Sequence, residues 1–137
     1  MFTSRRRVQI EWGDCDPANI VFYPRYFEWF DASTSHHFAI AGLTKTDLIN
    51  RYGVIGYPML ETRAQFSAPS SVGDEVTIET AITRFGRSSF DVHHRLLRGD
   101  DLAVEGFEKR VLAARSPDGN GIKSFPIPDE IKALFDR

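Results

Sequence analysis

The chain has 137 residues, 42% of them hydrophobic, and a formal net charge of −2 at neutral pH. That length suits one domain, residues 1–137, with a sizeable core, and the charge balance gives no basis for general nucleic-acid binding. A single cysteine, Cys15, excludes an internal disulfide framework and fits a reducing, cytoplasmic setting. No apolar run approaches the roughly 20 residues of a membrane span. The N-terminal MFTSRRRVQIEW lacks the apolar core of a signal peptide, and Arg5-Arg6-Arg7 reads as a solvated strand edge.

Residues 5–12 alternate, with Val8, Ile10 and Trp12 on one side and Gln9 and Glu11 on the other, as in a half-buried strand. Pro24 suits the first turn of a helix and Gly42 its end. Between them Tyr23, Phe27, Phe30, Thr34, Phe38 and Ala41 recur at helical spacing, with Tyr26 and Trp29 widening the apolar face. Such a helix, about 18 residues and about 27 Å long, is aromatic enough to be expected in the middle of the domain. Residues 44–51 read as a short helix capped by Thr44 and stopped at Gly53.

Strands dominate the rest. Residues 57–67 form one, ending near Pro69, and Ser70 to Asp74 make a turn. Val76, Ile78, Thr80 and Ile82 share one face of the next strand, and Gly86 marks a turn or bulge. Phe90, Val92, His94 and Leu96 then alternate with Ser89, Asp91, His93 and Arg95. Arg98-Gly99-Asp100-Asp101 predicts a hairpin turn, followed by a long strand from about Leu102 to Arg115 that Ser116-Pro117-Asp118-Gly119 ends. Pro128 to Phe135 reads as a short helix. The order implies an α+β layout, an antiparallel sheet of about five strands wrapped around one long central helix.

The chemistry concentrates in GDCDPANIVFYP, Gly13 to Pro24. Asp16 lies a few residues before the helix start at Tyr23-Pro24, where unpaired N–H groups and a partial positive charge suit a carbonyl oxygen gaining negative charge. A carboxylate there points to acyl-transfer or hydrolytic chemistry. On spacing alone Asp16-Pro17 also reads as an N-cap followed by proline, and Asp14 competes for the catalytic role. Cys15 and the histidines make no ligand set of zinc spacing, so no metal is expected. No nucleophile-elbow pattern supports a triad built on Ser33 or Ser35.

The run GDCDPANIVFYPRYFEWFD, Gly13 to Asp31, resembles the Asp-Pro-Ala-x-Ile-Val, Tyr-Pro and Trp-x-Asp pattern of hotdog-fold acyl-CoA thioesterases of the 4-hydroxybenzoyl-CoA thioesterase type. Gly53 to Pro58, Arg84 to Phe90 and Lys123 to Pro128 follow in that family's order. The resemblance implies a hotdog fold that hydrolyses an acyl-CoA, with CoA as part of the substrate and no separate cofactor. It implies Asp16 as nucleophile or general base and the Tyr23 backbone N–H as oxyanion donor. Asp31 matches the residue that meets a phenolic hydroxyl on the acyl group, with Trp29 and Tyr57 at the acyl pocket. On its spacing Asp31 reads equally as a charge on the helix's polar side. Tyr57 departs from the type, which carries a threonine there.

Arg87, Ser88 and Ser89 match a stretch that holds the CoA phosphates and pantetheine arm, and Lys123 matches another phosphate contact. Gly86 and Ser88 replace basic residues of that stretch. Subunits of the family pair, which implies a homodimer or a tetramer built as a dimer of dimers. Its sites lie at the interface, with the carboxylate from one chain and the oxyanion amide from the other. A hydratase or dehydratase of the same fold is an alternative, although no histidine occupies the Asp16 loop. A non-catalytic acyl-CoA binding module is another, and it could dispense with Asp16.

Overall fold

A computed structural model describes residues 1–137. In chain order the elements are β1 (Thr3–Gln9), α1 (Pro24–Ile40), α2 (Lys45–Tyr52), β2 (Met59–Phe66), β3 (Glu75–Phe85), β4 (Ser89–Arg98), β5 (Asp101–Val111), β6 (Ala113–Arg115), β7 (Ile122–Ser124) and α3 (Asp129–Leu134). Five strands pair antiparallel in the order β1-β3-β4-β5-β2, and α1 packs on the sheet's inner face. This is the expected α+β arrangement.

Helix α1 begins and ends where local chemistry dictates. Pro24 occupies the first helical turn, where its missing N–H costs nothing. At the other end Gly42 adopts φ 95°, and the N–H groups of Gly42 and Leu43 bond the carbonyls of Ala39 and Phe38, both at 3.0 Å. That is a Schellman closure, with Leu43 and Phe38 in one apolar cluster. Helix α2 is capped by Thr44, which accepts from the Asp47 N–H, and stopped by Gly53 at φ 67°.

The buried stripe of α1 is turned from the expected one. It runs through Tyr26, Trp29, Phe30, Ser33, Thr34, His37 and Phe38, while Tyr23 stands 60% exposed. Phe27 faces the Phe66 ring of β2 instead of the sheet centre. The sheet face decides the rotation, because Gly106 on β5 leaves room for the Phe30 ring.

Three other differences follow from hydrogen bonding. β1 ends at Gln9, and the chain then closes a short helical turn over Trp12–Asp14, which throws Trp12 outward to 81% exposure. β5 stops at Val111, since the Leu112 N–H turns to the Ser88 carbonyl, and β6 pairs with β7 in a separate hairpin. The segment after β2 holds the expected turn, closed by the Asp74 N–H on the Ser71 carbonyl at 3.1 Å, but it also does more than turn. Residues 67–74 cross the end of the sheet from the β2 edge to β3, and the Ser70 carbonyl accepts the Val21 N–H at 2.9 Å.

The core has two apolar halves. One gathers Tyr26, Trp29 and Phe30 with Val76, Ile78, Leu96 and Val104. The other gathers Phe38, Leu48, Tyr57, Phe90 and Leu112 with Ile131 and Phe135 of the C-terminal helix. Between them lies a belt of buried polar groups, Ser4, Thr34, His37, Thr80, His94, Glu108 and Arg110.

Candidate active site

The loop from Cys15 to Val21 is pinned at both ends. Cys15 and Val21 form an isolated bridge, the Asp16 N–H bonds the Ile20 carbonyl at 2.9 Å, and Asn19 sits at φ 63° in the turn. Asp16 Oδ1 accepts the Ala18 N–H at 2.9 Å, an Asx turn, so Asp16 does not cap α1. Its Oδ2 has no partner within the chain. Asp14 is already committed: Oδ2 accepts the Glu11 N–H at 2.9 Å, and Oδ1 lies 3.9 Å from Arg25 Nε. Of the two aspartates, only Asp16 keeps an oxygen for chemistry.

The Tyr23 N–H is the unpaired donor at the start of α1. Pro24 has no N–H, Arg25 donates to the Phe22 carbonyl at 2.9 Å, and Tyr26 donates to the Tyr23 carbonyl at 3.1 Å. A free amide at the positive end of a 17-residue helix is suited to a developing oxyanion. Within one chain, however, the two groups open onto different hollows. Asp16 lines one of about 430 Å³ with Trp12, Cys15, Pro17 and Asn19. Tyr23 lines another of about 390 Å³ with Ile20, Val21, Tyr26, Phe66, Ser67, Ala68 and Pro69.

The remaining sequence-predicted residues lie elsewhere. Asp31 sits midway along α1 with its side chain 57% exposed, and it accepts from Arg110 at 2.7 Å. The Trp29 ring is buried edge-on to Tyr26 at 5.5 Å. The Tyr57 ring is buried and stacked on Phe38 at 4.7 Å, with its hydroxyl 3.3 Å from Ser35 Oγ. Burial pushes the Tyr57 phenol up from its ordinary value, more than the Ser35 hydrogen bond and Arg110 hold it down. Arg87 and Ser88 lie in the β3–β4 turn and Ser89 opens β4; the Arg87 carbonyl accepts the Ile127 N–H at 2.8 Å, four residues beyond Lys123 of β7. Arg87 is at the opposite end of the sheet from Asp16: β3 starts at Glu75, just after the 70–74 segment that bonds Ile10 and Val21 on either side of the Asp16 loop, and ends at Phe85, two residues before Arg87. Eleven residues separate those ends by roughly 33 Å.

Sequence reasoning passed over Glu108, Arg110 and His94. The signal was present, since alternation along β5 puts Glu108 and Arg110 on the inward face with Val104 and Gly106. Burial opposes the charge on Glu108, but hydrogen bonds from His94 and Arg110 outweigh it and hold the carboxyl down at about 2. The other histidines stand apart from both hollows: His37 lies in the polar belt, and His93 bonds Glu105 at 3.0 Å on the outer face.

Comparison with known proteins places this geometry in a family. Residues 10–135 match the thioesterase-like superfamily model. The chain is 36% identical to a 4-hydroxybenzoyl-CoA thioesterase of Pseudomonas sp. (strain CBS-3), over 88% of each chain. The crystal structure of that enzyme superposes with a TM-score of 0.88 at 33% identity, covering 96% of this chain and 98% of that one. A gentisyl-coenzyme A thioesterase superposes with a TM-score of 0.83 at 30% identity, covering 98% and 100% of the two chains. The chain belongs to the thioesterase-like superfamily, with the hotdog fold of those neighbours. It is accordingly a thioester hydrolase.

Proposed function

We propose that the chain hydrolyses an aromatic acyl-CoA bearing a hydroxyl group, yielding the free acid and CoA. The observation that carries the reading is that a carboxylate with a free oxygen, Asp16, and a free amide at a helix start, Tyr23, lie seven positions apart on the segment leading into α1. Relatives whose names specify 4-hydroxybenzoyl and gentisyl thioesters support the aromatic acyl class. Asp16 either attacks the thioester carbonyl or takes a proton from the attacking water. In the first route the C–S bond breaks, CoA leaves as the thiolate, and water cleaves the resulting mixed anhydride. In both routes the Tyr23 N–H receives the negative oxygen.

The active unit in this reading is a dimer joined through β2. That strand is a sheet edge with Met59, Leu60 and Phe66 exposed, which leaves apolar surface and unpaired backbone groups to be covered. Antiparallel pairing of β2 with its copy sets the Phe66 end of one chain against the Met59 end of the other. The Asp16 loop of one subunit then approaches the Arg87 and Lys123 end of its partner. That brings together the groups that one chain holds roughly 33 Å apart. A tetramer is a dimer of such dimers.

Thiol release tests the function. The panel is benzoyl-, 4-hydroxybenzoyl-, aminobenzoyl- and phenylacetyl-CoA alongside short and medium aliphatic acyl-CoAs. Rapid release from the hydroxylated aromatic thioesters is expected. Binding without release, or water addition without release, refutes the assignment.

A further inference from the structure

Arg110 is buried, at 4% side-chain exposure, yet each nitrogen of its guanidinium is committed. Nε donates to Glu108 Oε1 at 2.9 Å, Nη1 to the Tyr57 carbonyl at 3.2 Å and Nη2 to Asp31 Oδ1 at 2.7 Å. Glu108 is held in turn. Its Oε1 also accepts from Thr34 Oγ1 at 2.6 Å, and its Oε2 lies 3.3 Å from His94 Nε2. Thr34 gives its one proton to Glu108, so toward His94 Nε2, at 3.2 Å, it can only accept. His94 Nδ1 pairs with Thr80 Oγ1 at 2.8 Å, and its ring stacks on Phe30 at 4.8 Å. The line of contacts runs from β3 through β4 and β5 and reaches the surface at one carboxylate, Asp31.

A buried ion pair contributes little to stability by itself, because desolvation offsets most of the attraction. Arg110 and Glu108 could neutralise each other without a third charge. The geometry instead spends one edge of a rigid, buried fork on a carboxylate that is 57% exposed and whose other oxygen, Oδ2, has no hydrogen-bond partner within the chain. An ionised carboxylate only accepts hydrogen bonds, so a fixed Asp31 selects an acyl group with a donor at its far end.

We infer that Arg110 is a positioning residue for substrate choice: it locks Asp31 in the rotamer that receives the acyl hydroxyl, with Glu108 and His94 holding Arg110 in place. The inference rests on the proposed hydrolysis of hydroxylated aromatic acyl-CoAs and names what enforces that preference. It sets Arg110 apart from the hydrolytic step, so removing it changes which acyl group is preferred more than it changes turnover.

The test is the ratio of kcat/KM for 4-hydroxybenzoyl-CoA to that for benzoyl-CoA. Arg110→Gln is expected to lower this ratio at least about tenfold, the scale of a hydrogen bond to a charged group. Arg110→Lys, which keeps the charge without the fork, is expected to restore part of it. Arg110→Gln leaves Glu108 buried without its partner and can fail to fold. The double variant Arg110→Met with Glu108→Met removes both charges together, a change that buried pairs tolerate. It is expected to lose the preference as well. A folded double variant that kept the wild-type ratio would overturn the inference. A wild-type enzyme that cleaved both substrates equally would overturn it through Asp31. A wild-type enzyme that cleaved neither would instead overturn the proposed function on which the inference rests.

Discussion

Gly106 and Phe30 share one space. A Cβ on Gly106 would lie 2.5 Å from Phe30 Cε2, nearer than packed atoms approach, so the central helix sits on the sheet at the one position without a side chain. Gly106→Ala is expected to destabilise the fold by about 1–3 kcal/mol, the usual scale of core overpacking. Adding Phe30→Leu should recover part of that loss. Urea midpoints of the wild type and the two variants check this, and a Gly106→Ala protein as stable as wild type would show that the helix is free to shift.

Asp16→Asn is expected to slow thiol release by about 10²- to 10⁴-fold while leaving acyl-CoA binding measurable by calorimetry. Asn keeps the Oδ1 contact to Ala18, so the loop should hold its shape. Asp14→Asn, by contrast, is expected to act mainly on stability, because its carboxylate is taken up by the Glu11 N–H and Arg25.

Stability should fall in two separate acid windows. Burial, with His94 and His36 nearby, lowers His37 from 6.5 to about 4, so its folded state favours the neutral ring. An unfolded chain binds that proton more readily, so this contribution is complete above about 6.5 and is lost as pH falls toward about 4. At 1.36 kcal/mol per unit it is on the order of 3 kcal/mol. Glu108 is held down at about 2, so its contribution persists above 4.5 and is lost only as pH falls from there toward about 2. His37→Leu should flatten the first window and leave the second. Denaturation midpoints at successive pH values read both.

Charges placed on β2 should separate the subunits. Leu60→Lys with Phe66→Lys is expected to give monomers by sedimentation, with activity falling in parallel. A second experiment addresses the shared site. An Asp16→Asn protein mixed with an Arg87→Ala, Lys123→Ala protein and allowed to exchange subunits should regain activity, since one site per mixed dimer is then intact. Mixed dimers as inactive as either parent would place each site within a single chain.

Much of the fold was legible because short-range chemistry set it. Pro24, Gly42, Thr44 and Gly53 bound their helices through caps and closures that depend on neighbouring residues alone. What stayed hidden depended on partners distant in sequence. Alternation could not say that the chain after Phe66 crosses the sheet to β3, nor that the strand beyond Val111 changes partner at Leu112. The loop motif placed Asp16 and the Tyr23 amide, whereas the tie from Asp31 to Arg110 joins residues 79 positions apart. The burial of Tyr57 was likewise hidden. Its ring is held inside by Phe38, a contact no local pattern announces.

The strap formed by residues 67–74 leaves β2 at one margin of the sheet and carries the Ser70 carbonyl to Val21, two residues before the Tyr23 amide. In the proposed dimer, pairing at that margin lies one hydrogen bond away from the segment that leads into the electropositive end of the long helix. A shift of the outer strand in that dimer is therefore passed along the strap, through the bond between Ser70 and Val21, toward the proposed oxyanion donor.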